Sequence, residues 1–173
     1  MNLKIFDTDI RNLMNQVFIL TGSNLGNREE NLAVASELIN RQCGTVINTS
    51  SIYETAAWGK TDQPGFLNQA LELETSLNAK QLIRRVLKVE KKMGRIRKEK
   101  FDPRIIDIDI LLFNSDVYNF DFLTIPHPEL HNRRFALIPL AELAKEVIHP
   151  VFNKSISALL EKCADKLEVK KYQ

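Results

Sequence analysis

The chain has two cysteines in 173 residues, a single tryptophan and a net charge of only +2. Cys43 and Cys163 are far apart and fit no metal-binding or redox spacing. They read as ordinary reduced thiols of a cytoplasmic protein. So small a charge gives no bulk electrostatic drive toward nucleic acid. No apolar run is long enough to span a membrane, and Asp7, Asp9 and Arg11 interrupt the apolar residues of the N-terminus, which excludes a secretory pattern. Repeats, low-complexity tracts and linkers are missing. So is any GxxxxGKS/T loop, which excludes nucleotide chemistry of the P-loop type. What is present, 44% hydrophobic and 27% charged residues, suits one globular domain with its own core.

Local patterns predict a βαββαβ order. QVFILTG (16–22) is a short apolar strand. After the SNLGN turn, Asn27 is suited to cap a helix, with Glu29 and Glu30 in the first turn, where the dipole favours acids. Leu32, Ala35, Leu38 and Ile39 form its apolar stripe, and Gly44 can end it. TVINTSSIYET (45–55), rich in β-branched residues, predicts a strand. AAWGKTDQPG (56–65) predicts a loop, and FLNQALELET (66–75) alternates as a strand. Asn78 can cap a second helix with Leu82, Ile83, Val86, Leu87 and Met93 on its apolar face, ended by Gly94. A strand within RIIDIDILLF (104–113), a tail of short pieces and a last short helix near Ile156, Leu159, Leu160 and Cys163 complete the chain. The expected fold is α+β: a ferredoxin-like core of antiparallel sheet with helices on one face, plus additional C-terminal short strands and a helix. A single domain is expected over 16–173. Residues 1–15 form an N-terminal extension with two open readings, a start-site artefact with the native start at Met14 or a genuine short surface helix.

RIIDIDILLF poses the chemical question. Side chains alternate along a strand, so Ile106, Ile108, Ile110 and Leu112 take one face, and Ile105, Asp107, Asp109, Leu111 and Phe113 the other. Two carboxylates roughly 7 Å apart on one face repel unless a cation sits beside them. The pattern alone leaves a metal site and a solvated edge strand both open.

Three neighbouring segments bear on that choice. KKMGRIRKEKFDPR (91–104) gathers seven cations just before the acids. Arginine forks suit phosphate oxygens, and acids for magnesium beside arginines for phosphate are the parts of a nucleotide site. TAAWGKTDQPGFLN (55–68) sets Trp58 and Phe66 beside Asn68, a stacking surface with an amide for a flat heterocycle. TIPHPELHNRRF (124–135) holds His127 between two prolines, suited to donate to phosphate or to move a proton. Each segment also has a plain reading: a solvated helix end, a loop pinned by its aromatics, an ordinary loop histidine.

Together, LTGSNLGN (20–27), SSIYETAAWGKTDQPGFLNQALELET (50–75), GRIRKEKFDPRIIDIDILLF (94–113) and TIPHPELHNRRFALIPL (124–140) resemble the 6-hydroxymethyl-7,8-dihydropterin pyrophosphokinase family of folate biosynthesis, in that family's order and spacing. The resemblance implies transfer of pyrophosphate from ATP to the hydroxymethyl oxygen of the pterin, with release of AMP. It implies two Mg2+ ions held by Asp107 and Asp109. Arg95 and Arg104 match phosphate-contacting loop arginines, with Arg97 and Lys98 on the same loop. His127, Arg133 and Glu90 match groups near the nucleotide. Phe66 and Phe135 match the aromatic pair around the pterin and Asn68 the amide at its edge, with Thr55, Ala56 and Trp58 lining the same pocket. The implied protein is a monofunctional, cytoplasmic monomer with small-molecule substrates, and with no nucleic acid or membrane partner.

Five positions depart from the family pattern. Asp102 replaces a small residue before Pro103, Ala56 and Ala57 stand where proline is common, Phe66 stands for a frequent tyrosine, and Pro128 for an aromatic. Two other readings compete. An RNA-binding module expects exposed aromatics on the central strands. A palm-like nucleotidyl transferase expects the paired aspartates without an aromatic-amide loop.

Overall fold

The computed structural model describes residues 14–57, 62–95 and 102–173. Strand β1 (Asn15–Ser23) is buried from Val17 onward. Helix α1 (Arg28–Gln42) starts at Asn27, whose side chain accepts the Glu30 N–H. It is followed by β2 (Thr45–Thr49), β3 (Tyr53–Thr55) and β4 (Phe66–Thr75). At the α1–β2 corner Gly44 has φ +151°, and a Cβ there would lie 2.5 Å from the Glu74 carbonyl oxygen, so only glycine fits. Helix α2 (Ala79–Lys92) opens on a capping box between Asn78 and Gln81, and β5 (Asp107–Phe113) returns through the sheet.

The main sheet is antiparallel in the order β10 (Val169–Lys171), β3, β4, β1, β5, with β2 beside the far half of β4. Taking β2 and β3 as one interrupted strand, the order is that of the expected ferredoxin-like core. The interruption has a local cause. Ser50 Oγ accepts the Ala70 N–H at 2.9 Å, where a regular strand would offer its carbonyl oxygen.

Helices α1 and α2 cover one face of the sheet over Val17, Ile19, Leu71, Leu73, Ile106, Ile108 and Ile110. After the hairpin of β6 (Tyr118–Phe120) and β7 (Leu123–Ile125), the C-terminal part adds α3 (Arg134–Ala144), a hairpin of β8 (Ile148–His149) and β9 (Lys154–Ser155), α4 (Ile156–Lys162) and β10 (Val169–Lys171). Helices α3 and α4 pack over Phe18, Leu20, Leu111 and Leu112 on the other face. The core helices thus lie on one face as expected, and the C-terminal part supplies one helix more than the pattern predicts. Helix α3 carries Pro139 inside it and no side-chain cap at Arg133, so its sequence lacks the usual start and stop signals. Helices cover both faces of the described sheet, and Phe18, on central β1, is 3% exposed.

The predicted alternation of β5 holds only through Ile110. Register against β1 shifts so that Ile19 faces Ile110 and Phe18 faces Leu112, leaving Leu111 as an extra residue. Beyond this bulge the faces exchange: Phe113 joins the α1–α2 side and Leu112 the α3–α4 side. Asp107 and Asp109 precede the bulge and keep a common face.

Candidate active site

Strands β1, β3, β4 and β5 and the start of α3 converge on an open cleft of ≈ 520 Å³. Leu20 and Gly22 form its floor with Thr55, Ala56, Phe66 and Asn68; Arg104, Asp107, Asp109, Arg133 and Phe135 complete the lining. Nine predicted residues are thereby brought together around one space. Glu90, Arg95 and His127 reach it through the two aspartates. Trp58, Arg97 and Lys98, the centre of the basic loop and the N-terminal extension through residue 13 lie outside the described residues.

Asp107 is the electrostatic hub. Arg95 Nη1 donates to its Oδ1 at 2.5 Å, and Arg104 Nη2 pairs with its Oδ2 at 2.6 Å. Arg95 also pairs with Glu90, which is 2% exposed and accepts the Ile108 N–H at 3.0 Å. A charge so deep in the core is tolerable because it is paired and hydrogen-bonded. Asp109 lies across from Arg133 Nη1 at 3.6 Å and His127 Nε2 at 3.9 Å. Burial and the neighbouring Asp107 carboxylate push Asp109 up to about 7, against the pull of Arg133 and Arg104. Burial and the Arg133 guanidinium hold His127 down near 4, so its imidazole is neutral at pH 7. Its Nδ1 faces the Glu129 N–H at 3.2 Å and its Nε2 lies 3.2 Å from Arg133 Nη1, which can only donate, so the neutral ring accepts only one of these two bonds.

The other end of the cleft is flat and apolar. The Arg104 guanidinium lies 5.2 Å from the centre of the Phe66 ring, and that of Arg133 lies 5.8 Å from Phe135. Asn68 is buried, and its amide donates to Thr55 Oγ1 at 3.0 Å. Among the described contacts this leaves the Asn68 carbonyl oxygen and second N–H for a ligand. A Cβ on Gly22 would come within 3.0 Å of Asn68 Oδ1 and 3.6 Å of Phe66, so glycine at this point of β1 preserves the floor.

Sequence reasoning overlooked Leu20 and Gly22 as lining residues, and Asn24 as a support. An isolated glycine within a strand is a recognised sign of close approach, and that signal was available for Gly22. Asn24, 2% exposed, accepts the Arg104 N–H at 2.8 Å and donates its own N–H to the Arg104 carbonyl. Its amide also donates to Gln63 Oε1 and the Pro64 carbonyl. It thus ties together the two loops that bring Arg104 and Phe66 to the cleft. Arg104 Nη1 meets the departing residue Asp102 at its main-chain carbonyl, 3.1 Å away.

Acids and guanidiniums at one end and two aromatic rings with an amide at the other can hold a polyanion against a flat heterocycle. Comparisons with known proteins point to one family. A pyrophosphokinase with the full name 2-amino-4-hydroxy-6-hydroxymethyldihydropteridine pyrophosphokinase from Bacillus subtilis is 42% identical over 77% of this chain and 80% of its own. One of the same name from Aquifex aeolicus is 39% identical over 83% and 89%. The folic acid synthesis protein fol1 of Pneumocystis carinii is 37% identical over 86% of this chain, which spans only 20% of that longer protein. In structure, a Plasmodium falciparum HPPK-DHPS chain superposes with a TM-score of 0.72 at 20% identity, over 86% of this chain and 45% of that one, which shows the shared fold. The family model described as 7,8-dihydro-6-hydroxymethylpterin-pyrophosphokinase (HPPK) matches residues 18–145, and the chain belongs to that family.

Proposed function

We propose that this protein transfers the pyrophosphoryl group of ATP to the hydroxymethyl oxygen of 6-hydroxymethyl-7,8-dihydropterin, giving AMP and the pterin diphosphate. One observation carries the reading: the paired acids and arginines share a single cleft with the Phe66–Asn68–Phe135 wall. A nucleotide site alone has no need of that wall.

Roles follow from position. Phe66 and Phe135 stack on the pterin, and Asn68, held by Thr55, reads its edge. Thr55 and Ala56 close the side of the pocket. Arg104 and Arg133, each near one of the rings, stand between the pterin and the phosphates, where they offset charge that grows during transfer. Arg95, set by Glu90, supports the same end, and neutral His127 stands there beside Arg133 and Asp109. Attack at the β-phosphorus needs the alcohol and the departing AMP roughly in line. No described side chain is a compelling base for that alcohol, and a loose transition state asks little of one.

Asp107 and Asp109 fit magnesium by donor chemistry. Both offer hard carboxylate oxygens on one face of the cleft, and magnesium commonly takes one or two carboxylates with water and substrate phosphates for the rest. Burial first, and the neighbouring Asp107 carboxylate second, push Asp109 up, and a bound cation would offset both. Two such ions, when bound, would neutralise phosphate charge and polarise the reacting phosphoryl group. The same reading includes a monomer as the working unit. It also includes the cytoplasm as its place, which the free thiols of Cys43 and Cys163 support.

The test is AMP release in a mixture of protein, ATP, Mg2+ and 6-hydroxymethyl-7,8-dihydropterin. AMP above background that depends on the pterin is the expected result. A folded, ATP-binding protein that releases none would overturn the proposal.

A further inference from the structure

The substrate wall rests on strand β3, and β3 is three residues long. Strand β4 supports it on one side, with Thr55 opposite Phe66 and Tyr53 opposite Asn68. On the other side lies β10, pairing Val169 with Thr55 and Lys171 with Tyr53. The Tyr172 N–H extends this contact to the Ile52 carbonyl at 2.9 Å. Strand β10 lies beyond residues 18–145, the part that matches the family model. Without it, β3 would be a short free edge carrying Thr55, the residue that orients the Asn68 amide.

Arg28, at the start of α1, joins the same pieces from a second direction. Its Nη1 donates to the Gly65 carbonyl at 2.8 Å and pairs with Glu54 of β3 at 2.7 Å. Its guanidinium lies 6.0 Å from the centre of the Tyr172 ring. One side chain therefore touches the residue before Phe66, the centre of β3 and the end of β10. The gap it spans is tight: a Cβ on Gly65 would come within 2.9 Å of the Thr55 carbonyl oxygen. The pair of opposed groups, Thr55 on one side and Phe66 on the other, is thus fixed by contacts outside the cleft.

We infer that Arg28 and strand β10 form a bracket that positions the Thr55–Phe66 wall, and that they set affinity for the heterocyclic substrate without taking part in transfer. This deepens the pterin reading above and rests on it. Arg28 and Tyr172 are absent from the cleft lining, so they act as positioning residues through Glu54, Gly65 and β3. The planar guanidinium faces the Tyr172 ring while its Nη1 serves Gly65 and Glu54, a combination that an ammonium of the same charge does not reproduce.

The experiment compares the full-length protein with Arg28→Gln, Arg28→Lys and Tyr172→Ala. Three quantities are measured: affinity for 6-hydroxymethylpterin in the presence of a non-hydrolysable ATP analogue, the single-turnover rate with both substrates saturating, and amide exchange at Thr55 and Phe66. Arg28→Gln is expected to weaken pterin binding about tenfold, to leave the saturated rate within about twofold, and to speed exchange at Thr55. Arg28→Lys falls between it and the native protein, and Tyr172→Ala repeats the pattern more weakly should Arg28→Gln fold poorly. Unchanged pterin affinity with faster exchange makes the bracket merely structural and overturns the inference, as does a lost rate with affinity intact. If the native protein neither binds the pterin nor releases AMP, the substrate reading fails by itself. Exchange at Thr55 then still decides whether Arg28 and Tyr172 hold the wall, and unchanged exchange overturns the bracket.

Discussion

Glu90 shows how single residues here divide between holding and acting. It is almost fully buried, yet it pairs with Arg95 and accepts the Ile108 N–H. Glu90→Leu would leave that N–H without its acceptor and Arg95 with Asp107 as its one carboxylate partner among the described residues. Breaking a buried pair in this way costs about 3 kcal/mol, so the urea midpoint should drop together with activity. Asp107 and Asp109 behave differently. Their side chains are 20% and 31% exposed at the mouth of a cleft, and neither fills core volume. Asp107→Ala and Asp109→Ala are each expected to cut turnover by a thousandfold or more, roughly the scale of losing a key electrostatic group, with near-native far-UV circular dichroism. Turnover near the native rate at ordinary Mg2+ would remove these residues from the metal assignment.

At the level of elements, legibility followed the strength of local signals. Both core helices announced themselves through Asn27 and Asn78, and both caps are made. Strand β4 alternated in sequence, but in the fold both of its faces are covered, and Asn68 and Glu72 are buried along with Leu67, Leu71 and Leu73. The two aspartates share a face because the β5 bulge falls after them, at Leu111. That bulge had no sequence mark, and neither did α3, which places a proline in its second turn. The β8–β9 hairpin was invisible for another reason: strands of two residues carry no periodicity. Its anchor is His149, whose Nδ1 lies 3.3 Å from the Val151 nitrogen and 3.4 Å from that of Phe152 and accepts from both. Burial and the nearby His131 hold this imidazole below its ordinary value. The unfolded chain takes up the proton near pH 6.5, whereas the fold resists until lower pH. The contribution to stability is therefore complete above about pH 6.5 and is lost as the pH falls below that value. Urea titrations from pH 7.5 to 5 should show a falling midpoint. His127 acts in the same direction, so the decisive quantity is the difference between native and His149→Gln, whose slope should be shallower.

The whole molecule is a sheet between two helical layers, and the layers are not equivalent. The cleft draws Arg133 and Phe135 from the start of α3, and Phe135 packs against the α3–α4 core. The α1–α2 core lies on the opposite side of the sheet, behind Ile106, Ile108 and Ile110. Core positions on the two faces should then carry equal weight in stability and unequal weight in binding. Ile39 of α1 and Leu140 of α3 are both fully buried. Truncating either to alanine leaves a cavity and costs about 2–5 kcal/mol. In Leu140→Ala the relaxation around the cavity also moves the helix that presents Phe135, so KM for the pterin should rise at temperatures well below the unfolding midpoint. In Ile39→Ala the same loss of stability should leave that KM within about twofold. Paired urea titrations and pterin saturation curves check both halves, and equal KM values in two equally destabilised variants would show that the cleft is indifferent to which layer is disturbed.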